Sequence, residues 1–246
     1  MTVYRTQPLV EGFPGKSSSH GAFGWSSVWL LDDGERRVLV DVGPPSYIPL
    51  IHDGLARVGL TAADITDVAI THMHWDHVAN FTMFPNAVTW VDERELAWAS
   101  ALPAGTIFIP DLHVQELLRR DRVERIAPGV EFLPGIHALD ARGHTPHHLA
   151  FFAERTERPT IFAGDSVKNI YELATMRVDS TLDEQSSIAT IDRLRSLLAD
   201  TGGLLMPGHD VALTFNDGEA RRVRPQQARI GFFADADGGE QDRSIG

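Results

Sequence analysis

The sequence predicts a mixed α/β chain, α+β in its detail, folded as one domain over residues 1–246. Two observations carry that expectation. Short apolar runs that read as strands precede amphipathic stretches that read as helices twice, once before and once after about residue 135. No internal repeat and no linker composition divides the 246 residues, a length that suits one large domain or two small ones. Hydrophobic content of 43% and charged content of 23% are ordinary for a chain that buries a core.

Residues 3–7 read as a first strand, which Pro8 confines to a sheet edge or ends. Residues 12–24 are rich in Gly, Ser and Pro, hence a loop; it holds His20 and Phe23, with Trp25 just after. Two apolar runs at 27–31 and 37–41 flank Asp32-Asp33-Gly34, a hairpin signal. Ile48, Ile51, Leu55 and Val58 recur at helical spacing and give one apolar face. Residues 61–64 resemble a capped turn. Residues 67–70 read as a buried strand, 87–91 as another, and 92–100 as a helix. Residues 101–110 are irregular, with Ile107, Phe108 and Ile109 expected at the surface, and 111–120 are helical. Residues 123–126, 131–133 and 136–140 read as short strands; residues 149–153 and 160–163 follow as strands. Thr181 with Glu184 makes a capping box for a helix to Leu198, whose apolar face is Ile188, Ile191, Leu194, Leu197 and Leu198. Residues 204–206 are a last core strand. Residues 234–246, polar and Gly-rich, read as a flexible tail.

The chemistry concentrates in Thr71-His72-Met73-His74-Trp75-Asp76-His77, at the end of a strand. On an extended segment His72, His74 and Asp76 share one side, and His77 steps out of that alternation as it would where a helix starts. Neutral imidazole and carboxylate are the ligands of catalytic zinc. Four such groups in six residues exceed what one ion takes from one loop, so two ions sharing the loop is the simpler reading. A lone His at a strand end is ordinarily a satisfied core or surface residue. Three His and an Asp this close displace core formers and repel when protonated, which favours a metal site.

His-x-His-x-Asp-His after a strand resembles the signature of the metallo-β-lactamase fold superfamily. Gly143-His144-Thr145, Gly164-Asp165 and Gly208-His209 follow in the order of that family's later ligand turns, and Asp41-Val42-Gly43 is similar to its early element. The match runs from about Ser26 to His209. The resemblance implies an αβ/βα four-layer sandwich: two mixed sheets face to face, helices on both outer faces, metals along the top edge. It implies that His72, His74 and His144 hold one Zn2+, that Asp76, His77 and His209 hold a second, and that Asp165 bridges them, with Fe or Mn as alternatives. Two ions would then share one hydroxide that attacks the scissile carbonyl, and the catalytic Asp76 would pass a proton to the leaving group. Taken alone, Gly164-Asp165 and Pro207-Gly208-His209-Asp210 are ordinary turn formers. His147 and His148 do not match a ligand position and read as surface residues or as residues behind the ligands. His52, His113 and His137 read as structural, and His20 as near the pocket mouth.

Gly143-His144-Thr145-Pro146 and the Asp76-His77 pair are similar to the acyl-homoserine lactonase branch. Those lactonases carry a Tyr three residues after the bridging Asp; here that place is Lys168, and the nearest Tyr is Tyr171. Opening of a lactone or a related cyclic ester or amide is the leading expectation. The alternatives are a glyoxalase II-like thioesterase, whose basic C-terminal region Arg221-Arg222-Val223-Arg224 matches only loosely, and a single-iron sulfur dioxygenase. A non-enzyme metal-binding scaffold would show degenerate ligands, whereas all seven stand here. Phe23, Trp25, Trp75, Phe108, Lys168 and Tyr171 are the expected substrate contacts, since aromatics around a metal suit an apolar acyl or ring substrate. Core packing is as good a reading for Phe81 and a better one for Trp29 and Trp90.

Composition narrows the rest. There is no cysteine, so neither a disulfide nor a thiolate ligand exists. A net charge of −12 argues against a nucleic-acid partner, which clustered Lys and Arg would have to hold. No apolar run is long enough to cross a bilayer, and the first 16 residues lack a basic start followed by an apolar block. A small-molecule substrate, no membrane partner, a cytoplasmic location and a monomer or homodimer are the expectations.

Overall fold

In the computed structural model, which describes residues 3–233 and 240–245, two mixed sheets pack face to face between helices. The first has six strands in the order Arg5–Val10, Val28–Asp32, Arg37–Val40, Asp67–Ala69, Val88–Asp92 and Val123–Ile126. Its first three strands pair antiparallel, and the remaining steps are parallel. The second has seven: Glu219–Arg222, Leu213–Asn216, Leu204–Pro207, Thr160–Gly164, Leu149–Ala153, Ile136–Asp140 and Glu131–Leu133. Its one parallel pair joins Thr160–Gly164 to Leu204–Pro207.

Side-chain alternation builds the layers. Trp29, Leu31, Val38 and Val40 face the second sheet and meet Phe151, Phe162 and Met206. Their neighbours Leu30 and Leu39 point the other way, onto Ile51 and Leu55 of the helix Ile48–Arg57 and Leu96 of the helix Glu93–Ala101. Behind the second sheet Ile161 and Leu205 pack under Ile191, Leu194 and Leu198 of the helix Glu184–Thr201. Each such side chain removed from water stabilises by roughly 1.5–3 kcal/mol. Strands buried on both faces read as unbroken apolar runs, which is why they were legible. The expected four-layer arrangement is present.

Several local expectations change. The first strand runs Arg5–Val10, through Pro8, because it pairs only with Val28–Asp32 and has a free edge; its register shifts between Pro8 and Val10. Ile48 and Val58 are exposed, and Ile51, Gly54 and Leu55 form that helix's buried face. Ile107 is 74% exposed but Ile109 is buried at 7%. Asp183, not Thr181, caps the long helix by accepting from the Ser186 N–H at 3.0 Å, while the Thr181 hydroxyl bonds that of Ser187. Of the stretch read as a tail, 234–239 and 246 lie outside the described residues, and Glu240–Ile245 is a strand paired antiparallel with Ala228–Phe233. No described helix is long and apolar enough to cross a membrane.

Candidate metal centre

The seven expected ligands meet at one end of the sandwich, delivered by four strand ends. After Asp67–Ala69 the chain leaves the sheet, and Asp41 catches it: its carboxylate accepts from the Thr71 N–H and hydroxyl, both at 2.9 Å. A short helix, Trp75–Val78, then begins with His74 as its N-cap. It starts two residues earlier than expected, so helical geometry rather than strand alternation turns Asp76 and His77 inward. His144 lies in the loop between Ile136–Asp140 and Leu149–Ala153, which the Leu149 N–H ties to the Thr71 carbonyl at 2.9 Å. Asp165 and His209 follow the two parallel strands Thr160–Gly164 and Leu204–Pro207 and so emerge side by side. A side chain at Gly208 would collide with the Asp165 carboxylate, so only glycine lets these two turns touch.

Three ligand groups result: His72, His74 and His144; His72, His77 and Asp165; and Asp76, His77 and His209, each with donor atoms within 4.8 Å of one another. Asp165 lies between the first and last. Its Oδ1 is 3.2 Å from His77 Nε2 and 3.2 Å from His209 Nε2, and its Oδ2 is 3.3 Å from His144 Nε2. Asp76 Oδ2 approaches His209 Nε2 at 3.6 Å and His77 Nε2 at 3.8 Å. His72 Nε2, His77 Nε2 and Asp165 Oδ1 are buried without a well-directed hydrogen bond. Buried polar atoms are ordinarily satisfied, and three convergent imidazole and carboxylate atoms left over suit a divalent cation. The residues therefore fit the implied metal.

The electrostatics divide the histidines. Burial, reinforced by neighbouring imidazoles, holds His72 well below the usual imidazole range. Burial lowers His74 to about 4 against Asp165 and Asp76, and it holds His144 well below its usual range against Asp165. Burial also works to lower His77 and His209, but Asp165 and Asp76, joined by Asp41 at His77, raise both. Burial opposes ionisation of Asp165, yet His209, His77 and His144 keep it well below the carboxylate range. One trio is thus neutral and ready to ligate; the other shares protons with carboxylates that a cation would replace.

Three residues outside the expected ligand set support it. Asp41 accepts from His77 Nδ1 at 2.8 Å and so aims Nε2 at the cluster. Its only signal was its place in the early Asp41-Val42-Gly43 element. His148, read as a surface residue or one behind the ligands, is fully buried. Its Nε2 accepts from the Asp165 N–H at 3.1 Å, and its ring stacks on His72 at 4.7 Å. Glu95 is also fully buried, and carries no distinguishing signal in a polar helical stretch. His147 is half-buried, and His20 is exposed and bonded to Ser19.

A cavity of about 480 Å³ opens over the cluster. Trp75, Phe108, Lys168 and Tyr171 line it beside His74, His144, Asp165 and His209. Phe23 and Trp25 do not; they stack on each other at 4.4 Å, with Phe13 edge-on to Trp25. The loop folds these aromatics onto themselves. Lys168 Nζ is 2.7 Å from the buried Glu172 carboxylate. Lys16, Arg177 and Arg222 give the same wall further positive charge, partly offset by Lys16–Asp179 and Arg222–Asp210 pairs.

Residues 23–209 match the model of the metallo-beta-lactamase superfamily. A hydroxyacylglutathione hydrolase of Saccharophagus degradans is 29% identical over 207 residues, 83% of this chain and 68% of that protein. An N-acyl homoserine lactonase of a Bacillus species is 25% identical over 213 residues, 75% of this chain and 81% of that protein. Against two hydroxyacylglutathione hydrolases of Pseudomonas the matched stretch spans only 49% of their length. Among solved structures, a B. thuringiensis AiiA mutant with N-decanoyl-L-homoserine bound at the active site superposes with a TM-score of 0.68 at 23% identity, over 86% of this chain and 95% of that one. At that identity the likeness is one of fold.

Proposed function

Because the chain belongs to the metallo-β-lactamase superfamily, we propose that it is a dinuclear zinc hydrolase that opens a lactone or a related cyclic ester or amide. The observation that carries the reading is Asp165, whose two oxygens face histidines of both ligand trios beneath one cavity. His72, His74 and His144 would hold one ion, Asp76, His77 and His209 the other, and Asp165 would join them. Dications held there would supply Lewis acidity, making a water more acidic and polarising a carbonyl oxygen. Asp76 lines the cavity, which supports its taking up a proton and returning it to the leaving oxygen. Lys168, steadied by Glu172, donates to a carbonyl or carboxylate oxygen of the substrate. Trp75 and Phe108 provide an apolar wall for an acyl chain or ring.

A glyoxalase II-like thioesterase is the second reading. The wall of Lys16, Lys168, Arg177 and Arg222 favours it, since such a wall suits an anionic substrate, and several relatives are named hydroxyacylglutathione hydrolase. Acid release by zinc-loaded protein on matched lactones and thioesters of varied acyl length separates the two. Faster opening of lactones supports the first reading; turnover of thioesters alone moves the assignment to the second. One iron per chain with oxygen uptake would instead indicate a single-iron dioxygenase. Inertness toward every ester, thioester and phosphodiester would leave a metal-binding scaffold.

A further inference from the structure

Glu95 lies in the first turn of the helix Glu93–Ala101 and is completely buried. No Lys, Arg or His side chain pairs with it among the described residues. Burying a carboxylate without a cation is costly, so its partners matter. Its Oε1 accepts from the Met73 N–H at 3.2 Å, and its Oε2 accepts from the His147 N–H at 3.1 Å. Met73 stands between His72 and His74; His147 stands between His144 and His148. One loop leaves the first sheet and the other leaves the second. A single side chain therefore joins the two loops that carry His72, His74 and His144, and Asp92 fixes its place by capping the helix through the Arg94 and Glu95 N–H groups. Leucine would fill the space, and glutamine would offer one acceptor and one donor. Only a carboxylate gives two acceptors to two backbone donors.

We propose that Glu95 is a positioning residue that clamps the two histidine loops at metal-binding distance and thereby sets the zinc affinity of the His72, His74 and His144 site. The proposal rests on the metal reading above, but its test does not depend on hydrolysis. Glu95→Gln keeps the volume and leaves one N–H opposite an amide NH2. Zinc affinity, read by competition with a chromophoric chelator, is expected to fall about 10–100-fold, and the visible spectrum of the cobalt-substituted protein is expected to change. Wild-type zinc affinity with an unchanged cobalt spectrum overturns the proposal. Should Glu95→Gln fail to fold, amide hydrogen exchange in the metal-free wild type decides. Protection of both the Met73 and His147 amides supports the clamp, and exchange of either at the rate of an open loop overturns it. A wild-type protein that takes up no zinc defeats the proposed function and with it the link to affinity, while the two amides still report separately on the clamp.

Discussion

Asp41 holds His77 by its Nδ1 at 2.8 Å, and the same carboxylate oxygen takes the Thr71 hydroxyl at 2.9 Å. Asp41 itself sits at φ 56°, a left-handed conformation that Asp and Asn tolerate best. One residue thus fixes both the ring orientation of an inferred ligand and the exit of the His72 loop from its sheet. Asp41→Asn keeps the backbone but turns an acceptor into a donor against His77 or Thr71. Zinc affinity is expected to fall about 10–100-fold, with kcat/KM falling alongside. Chelator competition on the purified variant checks this, and an unchanged affinity would show that His77 needs no such support.

His148→Ala is expected to do damage. It removes a fully buried ring that stacks on His72 and accepts from the Asp165 N–H. Burial lowers its imidazole to about 3, so the ring is neutral at working pH and its Nε2 stays an acceptor. A cavity plus an unsatisfied N–H should cost about 2–4 kcal/mol. Urea unfolding of the metal-free protein measures the loss, and a midpoint equal to that of wild type would return His148 to the periphery.

Zinc content and activity should fall together below about pH 6, because imidazole must be neutral to ligate. The two trios should not release together. His77 and His209 are raised and hold their protons as pH climbs, whereas His72, His74 and His144 are lowered and already neutral. On acidification the ion at Asp76, His77 and His209 should leave first. Zinc per chain, followed by atomic emission between about pH 8 and 5, should step from two to one before reaching zero; retention of both ions at about pH 5 would count against the five-histidine centre.

In the metal-free protein burial pushes the Glu95 carboxyl up to about 7, against lowering by Thr145 and the Met73 and His147 N–H groups. The folded value lies above the ordinary 4.5, so the native state binds the proton more tightly. The associated stability is complete below about pH 4.5 and is lost as pH rises through about 7, on the order of 3 kcal/mol in all. Unfolding free energy of metal-free wild type should decline across that window relative to Glu95→Gln. Parallel pH profiles for the two proteins would contradict this.

Lys168→Met combined with Glu172→Gln removes the cavity's buried ion pair without stranding one charge. A hydrogen bond from a charged donor contributes about 1.5–3 kcal/mol, so kcat/KM should drop roughly 10–100-fold. Zinc content should not change, because neither residue belongs to a ligand trio. Steady-state kinetics beside metal analysis separate the two effects, and full activity in the double variant would remove Lys168 from the substrate contacts.

The sequence by itself determined the order of strands and helices and the ligand-rich loop at His72–His77, and its resemblance to the metallo-β-lactamase superfamily implied the layered fold and the convergence of His144, Asp165 and His209 on that loop. Strands buried on both faces must be unbroken apolar runs, and a cluster such as His72-Met73-His74-Trp75-Asp76-His77 is too polar for a core and too dense for chance. Tertiary structure decided the rest, because those contacts join residues far apart in the chain. Asp41 meets His77 across 36 positions, and Glu95 meets His147 across 52. His148 was left open between the surface and a place behind the ligands for the same reason: its spacing shows a polar residue in a loop, whereas its place behind the ligands depends on the Asp165 N–H arriving from the neighbouring strand end. Phe23 and Trp25 read as cavity residues because loop aromatics beside a site look alike in sequence. In the folded chain they satisfy each other's apolar surface first, and Lys168, Trp75 and Phe108 occupy the wall instead.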